Sequence, residues 1–337
     1  MSVPASYGFD HLERMSDHRG LFEHAAGTVR REEHGYCTDD NARLVVVASR
    51  EPHVGAPPRL GRLALGFVLD AQSPDGRCRN RMDRTGRWTD APATDDCWGR
   101  ALWALGTAAA HHPDPLVRLR SLGAFASGAR QRSTWPHAMA FASLGAAEVI
   151  TIDPGQRAAR RLLADALDAI GPIPHDRAWR WPLARLTYAN PTLAEAVIAA
   201  GAALGRADDV RRGLTMLAWL LELETPAGHL SVTGAGGRGP GEAGPQFDQQ
   251  PIEVAALADA CWRACAVTGD QGWGRGIALA AAWFGGDNDA GLEMFDAASG
   301  GGYDGLEREG VNLNQGAEST LAFISTMQRA RAFAPAS

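Results

Sequence analysis

The chain has 337 residues, of which 45% are hydrophobic and 21% charged, so it can bury a large core and lacks the low hydrophobicity of a disordered chain. Its formal net charge of -6 argues against nucleic acid as a partner. All 33 basic residues are Arg, which excludes Schiff-base lysine chemistry and a Walker-type phosphate loop.

The five cysteines form an odd number without a compact framework, which indicates a reducing compartment. We therefore expect a cytoplasmic protein. The first residues, Met1 to Pro4, lack the basic head and apolar run of a signal peptide, and no segment reaches the roughly 18 apolar residues of a membrane span. Neither a His-x-x-x-His nor a Cys-x-x-Cys spacing occurs, so we expect no metal and no cofactor.

In chain order, Ala-rich and Leu-rich segments with helical spacing are separated by clusters of Gly, Pro and Asx residues. Alternating runs of β-branched residues are nearly absent, so we predict an all-α protein. The predicted helices lie near residues 5–17, 39–50, 58–72, 96–111, 115–129, 136–149, 155–169, 190–204, 207–223, 249–267, 269–284 and 315–331.

The connections between these helices alternate between short links, such as 112–115 and 205–206, and long loops rich in Gly, Pro, Trp, Arg, Asp and His. The long loops are residues 18–38, 73–95, 130–135, 170–189, 224–248 and 285–314. In antiparallel helical hairpins, loops that follow every second helix emerge on the same face. Six such hairpins predict one (α/α)6 toroid that spans residues 1–337.

The helices that follow the long loops form the predicted inner ring, and their first residues are polar. Residues 34–43 read HGYCTDDNAR, and residues 94–96 repeat the Thr-Asp-Asp sequence at a second helix start. Such residues satisfy the first free N–H groups of a helix. Pro136, Pro191 and Pro251 fit the first turns of three further helices. We expect all six polar helix starts to face one shared pocket.

Carboxylates, amides and aromatic rings in one pocket are typical of a carbohydrate site, because aromatic faces stack on sugars and polar groups bind hydroxyls. The aromatic residues in or beside the long loops are Tyr36, Trp88, Trp98, Trp135, Trp179, Trp181, Tyr188, Phe247 and Tyr303. A second interpretation is that part of this set only packs the loops, since aromatic residues are also common in cores.

Cleavage of a glycosidic bond needs two carboxyl groups, about 5 Å or about 6.5–9.5 Å apart. Hairpins two and five lie opposite each other in the ring, so we predict Asp96 and Asp248 as the catalytic pair. Asp40 and Glu318, on neighbouring hairpins one and six, form the competing pair. Adjacent helical residues point about 100° apart, so one member of each Asp-Asp pair is expected to cap its helix or bind Arg.

The remaining polar and aromatic residues at the helix starts are expected to bind sugar. Glu253 shares a helix face with Gln250, and its alternative role is a buried carboxylate paired with Arg43 or Arg100. The predicted sugar-binding residues are His34, Tyr36, Asp39, Asn41, Arg43, Trp88, Asp95, Trp98, Arg100, His137, Tyr188, Asn190, Phe247, Gln249, Gln250, Glu253, Asn314 and Gln315.

Two glycine-rich segments, 234–245 and 300–305, lie in the long loops. The first has no strand before it and no Lys after it, so it does not fit a phosphate loop. We expect both segments to act as mobile flaps over the pocket.

Several motifs are distributed along nearly the whole chain: FDHL (9–12), GLFEHA (20–25), HGYCTDDNAR (34–43), GRALWALG (99–106), FDQQPIE (247–253) and NLNQGAEST (312–320). Together they resemble a bacterial family of the six-hairpin glycosidase-like group, whose members are often encoded beside, or fused to, glycosyltransferases. The resemblance implies an (α/α)6 toroid and activity on carbohydrate. It also implies a possible functional link to a glycosyltransferase.

The chain departs from the pattern of that family at two places. Residues 94–100 read TDDCWGR where the family tends to read SEDSHGR, which keeps an Asp and changes the pocket wall. Residues 188–190 read Tyr-Ala-Asn where the family tends to read Tyr-Asp-Asn. The second departure removes a carboxylate from hairpin four.

We predict a glycoside hydrolase that acts on an oligosaccharide or polysaccharide through two carboxyl groups. One alternative is a sugar isomerase or epimerase, in which His24, His137 and His175 would move protons. A glycoside phosphorylase is another alternative on the same fold. The non-enzymatic alternative is a glycan-binding partner of a glycosyltransferase, which the fold alone does not exclude.

Overall fold

The computed structural model describes residues 7–51 and 55–334, and these ranges contain twelve α-helices. The helices are α1 (Asp10–Arg14), α2 (Thr38–Ser49), α3 (Ala56–Ala71), α4 (Asp96–His111), α5 (Pro115–Gly128), α6 (Pro136–Ile152), α7 (Arg157–Ile170), α8 (Asn190–Leu204), α9 (Ala207–Leu223), α10 (Pro251–Thr268), α11 (Gly274–Phe284) and α12 (Ala317–Phe333).

Local sequence explains why these helices begin and end where they do. Proline occupies the first turn of α6, α8 and α10, where its missing N–H is not needed. Helices α8 and α10 stop at Gly205 and Gly269, whose φ angles of 70° and 74° are left-handed and suit glycine. Eleven predicted helices match the observed bounds to within five residues.

The first predicted helix, residues 5–17, is wrong in extent. Residues 5 and 6 lie outside the described residues, and α1 has only five residues. It ends because the chain turns back at Asp17, whose carboxylate accepts hydrogen bonds from the backbone N–H groups of Arg19 and Gly20. This turn brings Leu21 into an antiparallel bridge with Ser16.

The helices form two concentric rings. Helices α2, α4, α6, α8, α10 and α12 each pack on the next, and α12 packs on α2, so the inner ring is closed. Helices α3, α5, α7, α9 and α11 pack on its outside, and α1 contacts α3 and α12. This arrangement confirms the predicted (α/α)6 toroid.

Helices α4 and α6 approach each other more closely than ordinary side chains allow. A Cβ atom on Gly106 would lie 2.2 Å from the carbonyl oxygen of Gly145, and one on Gly145 would lie 2.1 Å from that of Leu102. A Cβ on Gly99 would meet the carbonyl oxygen of Ala138 at 2.2 Å. We call Gly99, Gly106 and Gly145 the glycine seam, because at these positions the two backbones are in direct contact.

The long loops are joined by three short antiparallel β-ribbons. Strand β1 (Ala25–Ala26) pairs with β2 (Val29–Arg30), β3 (Tyr36–Cys37) with β4 (Arg81–Met82), and β5 (Gly305–Glu307) with β6 (Gly310–Asn312). These ribbons lie in the loops that precede inner helices, so they organise the end of the toroid where those helices begin. Across the described ranges, no helix has both the length and the apolar character needed to span a membrane.

Buried charges fill the axis of the inner ring. The carboxylate of Asp259 accepts hydrogen bonds from Arg50 and Arg329, and Glu195 lies 3.5 Å from the Nε atom of Arg263. Burial opposes ionisation of Asp259, but the adjacent Arg50 and Arg329 hold its pKa below the usual value. A small cavity of about 40 Å³ lies beside this network.

Candidate active site

A polar cleft of about 430 Å³ lies where the inner helices begin. Its volume falls within the usual range for small-molecule sites. Its acidic lining residues are Glu23, Asp39, Asp40, Asp248, Asp304 and Glu318, and its basic ones are His24, Arg43, Arg81 and Arg100. Arg43 and Arg100 also line the small axial cavity, so they form the floor of the cleft.

The competing predicted pair, Asp40 and Glu318, is held by one arginine. The guanidinium of Arg43 donates hydrogen bonds to both carboxylates. Asp40 is buried, and its second oxygen accepts a hydrogen bond of 3.1 Å from the Cys37 thiol. Burial raises the pKa of Asp40 to about 6, although Arg43 favours its charged form. Glu318 differs, because 40% of its side chain stays exposed toward the cleft.

Arg100 holds the two acidic helix starts of α2 and α4 together. Its Nε atom lies 3.3 Å from Asp39, its Nη2 atom lies 3.7 Å from Asp96, and its guanidinium covers the ring of Phe141 at 3.9 Å. Asp39 also accepts a hydrogen bond of 2.9 Å from Asn80. These contacts assign Arg100 to the wall and floor of the cleft, with Asp39 oriented above it.

Asp96 lies in the wall beside the cleft and is not one of the lining residues. Its carboxylate interacts with Arg100 and accepts a hydrogen bond from the hydroxyl of Tyr188. Burial raises the pKa of Asp96, while Arg100 and Tyr188 partly oppose that rise. The ring of Tyr188 stacks on His137 with 4.4 Å between the centroids. Burial lowers the pKa of His137 to about 4, so its imidazole is neutral at physiological pH.

Asp248 is the least constrained acid of the cleft. Its Oδ1 atom is buried and has no hydrogen-bond partner among the described residues. Partial burial, followed by the charges of Glu307 and Asp304, raises the pKa of Asp248 to about 6. The backbone around it is fixed, because Gln249 pairs with Leu306 through two hydrogen bonds of 2.9 Å. Asp248 is therefore a positioned carboxyl group that can carry a proton near neutral pH.

Two acids of the cleft, Glu23 and Asp304, were not among the predicted site residues. Asp304 accepts hydrogen bonds of 2.8 Å from the backbone N–H of Gly316 and from Ser319, and burial raises its pKa. Glu23 contacts Arg81 and lies 3.7 Å from His24. Both acids lie within long loops, whereas the prediction considered only helix starts. Both acids lie in segments that stand out in the sequence, since Asp304 belongs to the glycine-rich segment 300–305 and Glu23 to the motif at 20–25.

Of the residues predicted from the sequence, the cleft brings together seven. The acids Asp40, Asp248 and Glu318 line it, as do the predicted sugar-binding residues Asp39, Arg43, Arg100 and Gln250. His34 is exposed nearby, with its ring centroid 4.9 Å from that of His24.

Seven predicted sugar-binding residues lie in the core instead, and they make structural hydrogen bonds. These residues are Tyr36, Asn41, Trp98, Asn190, Gln249, Glu253 and Gln315. Trp98 donates its indole N–H to the carbonyl of Gly128, and Asn41 bonds the backbone of Leu21 and Cys37. The amides of Gln249 and Gln315 bond Asp289 and Asp296, and the hydroxyl of Tyr36 bonds Asp17.

Glu253 has neither of the two roles expected for it. Its carboxylate accepts hydrogen bonds from the backbone N–H of Ala189 and from the backbone and side-chain N–H groups of Asn190. It therefore holds the left-handed turn at Ala189, where φ is 44°, immediately before α8. Burial raises the pKa of Glu253 to about 8. The expected ion pair with Arg43 or Arg100 is absent among the described residues.

The other predicted sugar-binding residues also have protein neighbours. Trp88 donates a hydrogen bond to Asp70 and packs against Phe67, both on outer helix α3, so it lies outside the inner ring. Phe247 lies under the guanidinium of Arg308 at 5.1 Å, and Asn314 accepts a hydrogen bond from the N–H of Gly27. Asp95 is exposed, and its side chain makes no cap hydrogen bond to α4.

No protein-family model matches the chain, and no curated protein matches it. Solved structures do. A sugar epimerase from a ruminal bacterium is 13% identical with a TM-score of 0.71, and the match covers 96% of this chain and 95% of the epimerase. Cellobiose 2-epimerase from Bacillus thermoamylovorans B4167 is 9% identical with a TM-score of 0.71, covering 96% of each chain. The glycoside hydrolase family 9 endoglucanase J30 is 14% identical with a TM-score of 0.60, covering 92% of this chain and 74% of the endoglucanase.

At these identities the matches show the fold. The chain has the six-hairpin toroid that sugar epimerases, isomerases and glycoside hydrolases share. Because enzymes of different reaction types share this toroid, the fold alone does not identify an activity for the chain.

Proposed function

We propose that this protein is a glycoside hydrolase, with Asp248 as the general acid and Glu318 as the base or nucleophile. The observation that carries the proposal is the position of Asp248, a half-buried carboxyl group that lines the cleft and whose pKa is raised to about 6. A catalytic acid needs a pKa near the working pH and a place within reach of the substrate.

Glu318 has the complementary properties. It lines the same cleft, and 40% of its side chain is exposed, so water or an anomeric carbon can reach it. Arg43 holds its orientation through a hydrogen bond. Asp96, the other member of the predicted pair, is engaged by Arg100 and Tyr188, and we assign it to the wall that binds sugar hydroxyls.

The proposed reaction begins with protonation of the leaving group. Asp248 gives its proton to the glycosidic oxygen as the bond between that oxygen and the anomeric carbon breaks. The positive charge that develops on the sugar is stabilised by the carboxylates that line the cleft, among them Asp39. In a single-displacement course, Glu318 takes a proton from water as the water oxygen bonds to the anomeric carbon. Glu318 then releases that proton to solvent and Asp248 takes one up, which restores both carboxyl groups.

The test is the release of new reducing ends from neutral gluco- and manno-oligosaccharides by four purified proteins. We expect Asp248→Asn and Glu318→Gln to lower kcat by about 10²-fold or more. Asp165→Asn, which changes an exposed acid on outer helix α7, is the matched control and should act like the wild-type chain. Dinitrophenyl glycosides need little protonation, so Asp248→Asn should keep most of its activity on them. An equal loss on both substrates would remove Asp248 as the acid.

Sugar epimerisation or isomerisation is a second candidate, because His24 lines the cleft beside Glu23 and several similar structures are epimerases. That reaction needs a base that removes a proton from a carbon next to a carbonyl group. Deuterium uptake at C2 of cellobiose or mannose in D₂O detects it directly. Uptake that is lost in His24→Ala, without new reducing ends, would favour this candidate over hydrolysis. Saccharide binding without either reaction would favour a glycan-binding module.

A phosphorylase receives less support from the cleft. Six carboxylates and three guanidinium groups line it, so the described residues give it a net negative charge. A phosphate dianion would enter against that charge.

A further inference from the structure

Two aromatic side chains at the mouth of the toroid are open to solvent. Trp135 is 61% exposed and Tyr188 is 41% exposed. By contrast, Tyr36, Trp98 and Trp181 are core residues with no exposed surface. Exposure therefore separates Trp135 and Tyr188 from the aromatic residues that only pack the loops.

These two residues lie at the starts of adjacent inner helices. Trp135 directly precedes α6, Tyr188 lies two residues before α8, and α6 packs on α8. The ring of His137, in the first turn of α6, stacks on Tyr188 at 4.4 Å with 22° between the planes. One face of Tyr188 is thus covered by His137, which leaves the opposite face for solvent or a ligand.

The Tyr188 ring is held in place. Its hydroxyl donates a hydrogen bond to Asp96, and the His137 beneath it is 95% buried. The Nε2 atom of His137 is also buried and has no hydrogen-bond partner among the described residues. A fixed aromatic ring with polar groups at its edge loses little conformational entropy when it binds a ligand.

A chain of side-chain contacts links Tyr188 to the cleft. Tyr188 contacts Asp96, Asp96 contacts Arg100, and Arg100 lines the cleft floor. Flat aromatic faces next to carboxylate and guanidinium groups suit a pyranose chain, because each sugar has an apolar C–H face and a rim of hydroxyl groups. A neutral saccharide also avoids the net negative charge of the cleft.

We propose that Trp135 and Tyr188 form a binding subsite for sugar units that extend out of the cleft, so that the protein prefers neutral oligosaccharides to disaccharides. This inference deepens the proposed function and takes its saccharide substrate class from it. The subsite is tested by measuring saccharide affinity, so the result does not depend on whether the protein cleaves the saccharide.

The experiment is calorimetric titration with two-unit and six-unit members of the cello-, malto- and β-1,4-manno-oligosaccharide series. All proteins carry Asp248→Asn, which prevents cleavage by the proposed acid. In the series that binds, we expect Trp135→Ala and Tyr188→Ala each to lower the affinity for the six-unit ligand roughly three- to tenfold. The affinity for the two-unit ligand should change less than about twofold, because that ligand fits within the cleft. Trp135→Phe and Tyr188→Phe keep a ring and should retain most of the affinity for the six-unit ligand.

Leu119→Ala is the control, because Leu119 is 67% exposed on outer helix α5, away from the inner ring. Equal losses for the short and the long ligand in Trp135→Ala would show that the ring supports the cleft, which overturns the subsite. Unchanged affinity in both alanine variants, or no binding of any series to the parent protein, would overturn it as well. Length-dependent binding without cleavage by the wild-type chain would retain the subsite and reject the hydrolase.

Discussion

Replacement of Arg43 by Met tests how the floor of the cleft is held together. Arg43 is buried and donates hydrogen bonds to both Asp40 and Glu318, and it lines both the cleft and the axial cavity. Met fills a similar volume without charge, so the variant leaves Asp40 buried beside Glu318 with no cation. Removal of one member of a buried ion pair typically costs about 3–5 kcal/mol of folding free energy.

The pH dependence of that loss follows from Asp40. Its pKa in the folded chain is about 6, against 3.8 for the free side chain, so ionised Asp40 already destabilises the folded state by about 3 kcal/mol at pH 7. When the pKa of a carboxyl group is raised on folding, the folded chain becomes less stable as the pH rises from the unfolded-state pKa toward the folded-state pKa. Without Arg43, the pKa of Asp40 in the folded chain rises further. The pH range over which the chain loses stability therefore extends above pH 6. The Arg43→Met variant should therefore lose more stability at pH 7 than at pH 5.

The assay is urea unfolding followed by circular dichroism at pH 5 and pH 7. Arg59→Met is the matched control, since Arg59 makes an exposed ion pair with Glu13 and should cost less than about 1 kcal/mol. Adding Asp40→Asn to Arg43→Met removes the unpaired charge and should recover much of the loss at pH 7. An equal loss at both pH values, or no recovery in the double variant, would refute the electrostatic explanation and leave only a packing defect.

Three further predictions concern the site and the ring. The value of kcat/KM should fall as the pH rises through about 6, where Asp248 loses its proton, and a profile that is flat between pH 5 and 7 would contradict its role. Gly145→Ala should destabilise the chain by about 1–3 kcal/mol in urea unfolding, because the added methyl meets the Leu102 carbonyl. Gly123→Ala on α5, where a Cβ meets nothing within 4 Å, should not destabilise. Glu253→Gln should cost about 1–3 kcal/mol, because an amide nitrogen cannot accept the N–H groups that Glu253 now binds, and an unchanged unfolding midpoint would contradict this.

The fold was predictable because its signals are local. Helical periodicity, prolines in first turns and the alternation of short and long connections are all read from neighbouring residues. The position of the cleft followed from the same alternation, and Asp40, Asp248 and Glu318 do line it. The extent of α1 was not predictable in this way, because its end depends on a turn that pairs Ser16 with Leu21.

The side on which each polar residue faces could not be predicted from the sequence. Asn41 lies at a helix start like Asp40, but its amide bonds Leu21, which is 20 residues away. Glu253 faces the backbone before α8, 63 residues from it in sequence. The direction in which such a side chain faces depends on how the long loops pack against the helices. Loop packing leaves no periodic pattern in the sequence. The same packing brings Asp304 into the cleft.

The glycine seam also has a consequence for how this cleft can adapt to a ligand. Helices α4 and α6 touch through their backbones, so the wall that carries Asp96 and His137 has no slack for a hinge or a sliding motion. Asp248 and Asp304 lie on loops outside the helical ring, joined to each other by the pairing of Gln249 with Leu306. If the cleft closes around a ligand, we expect the movement to come from this loop side, which would carry Asp248 and Asp304 toward the wall formed by α4 and α6.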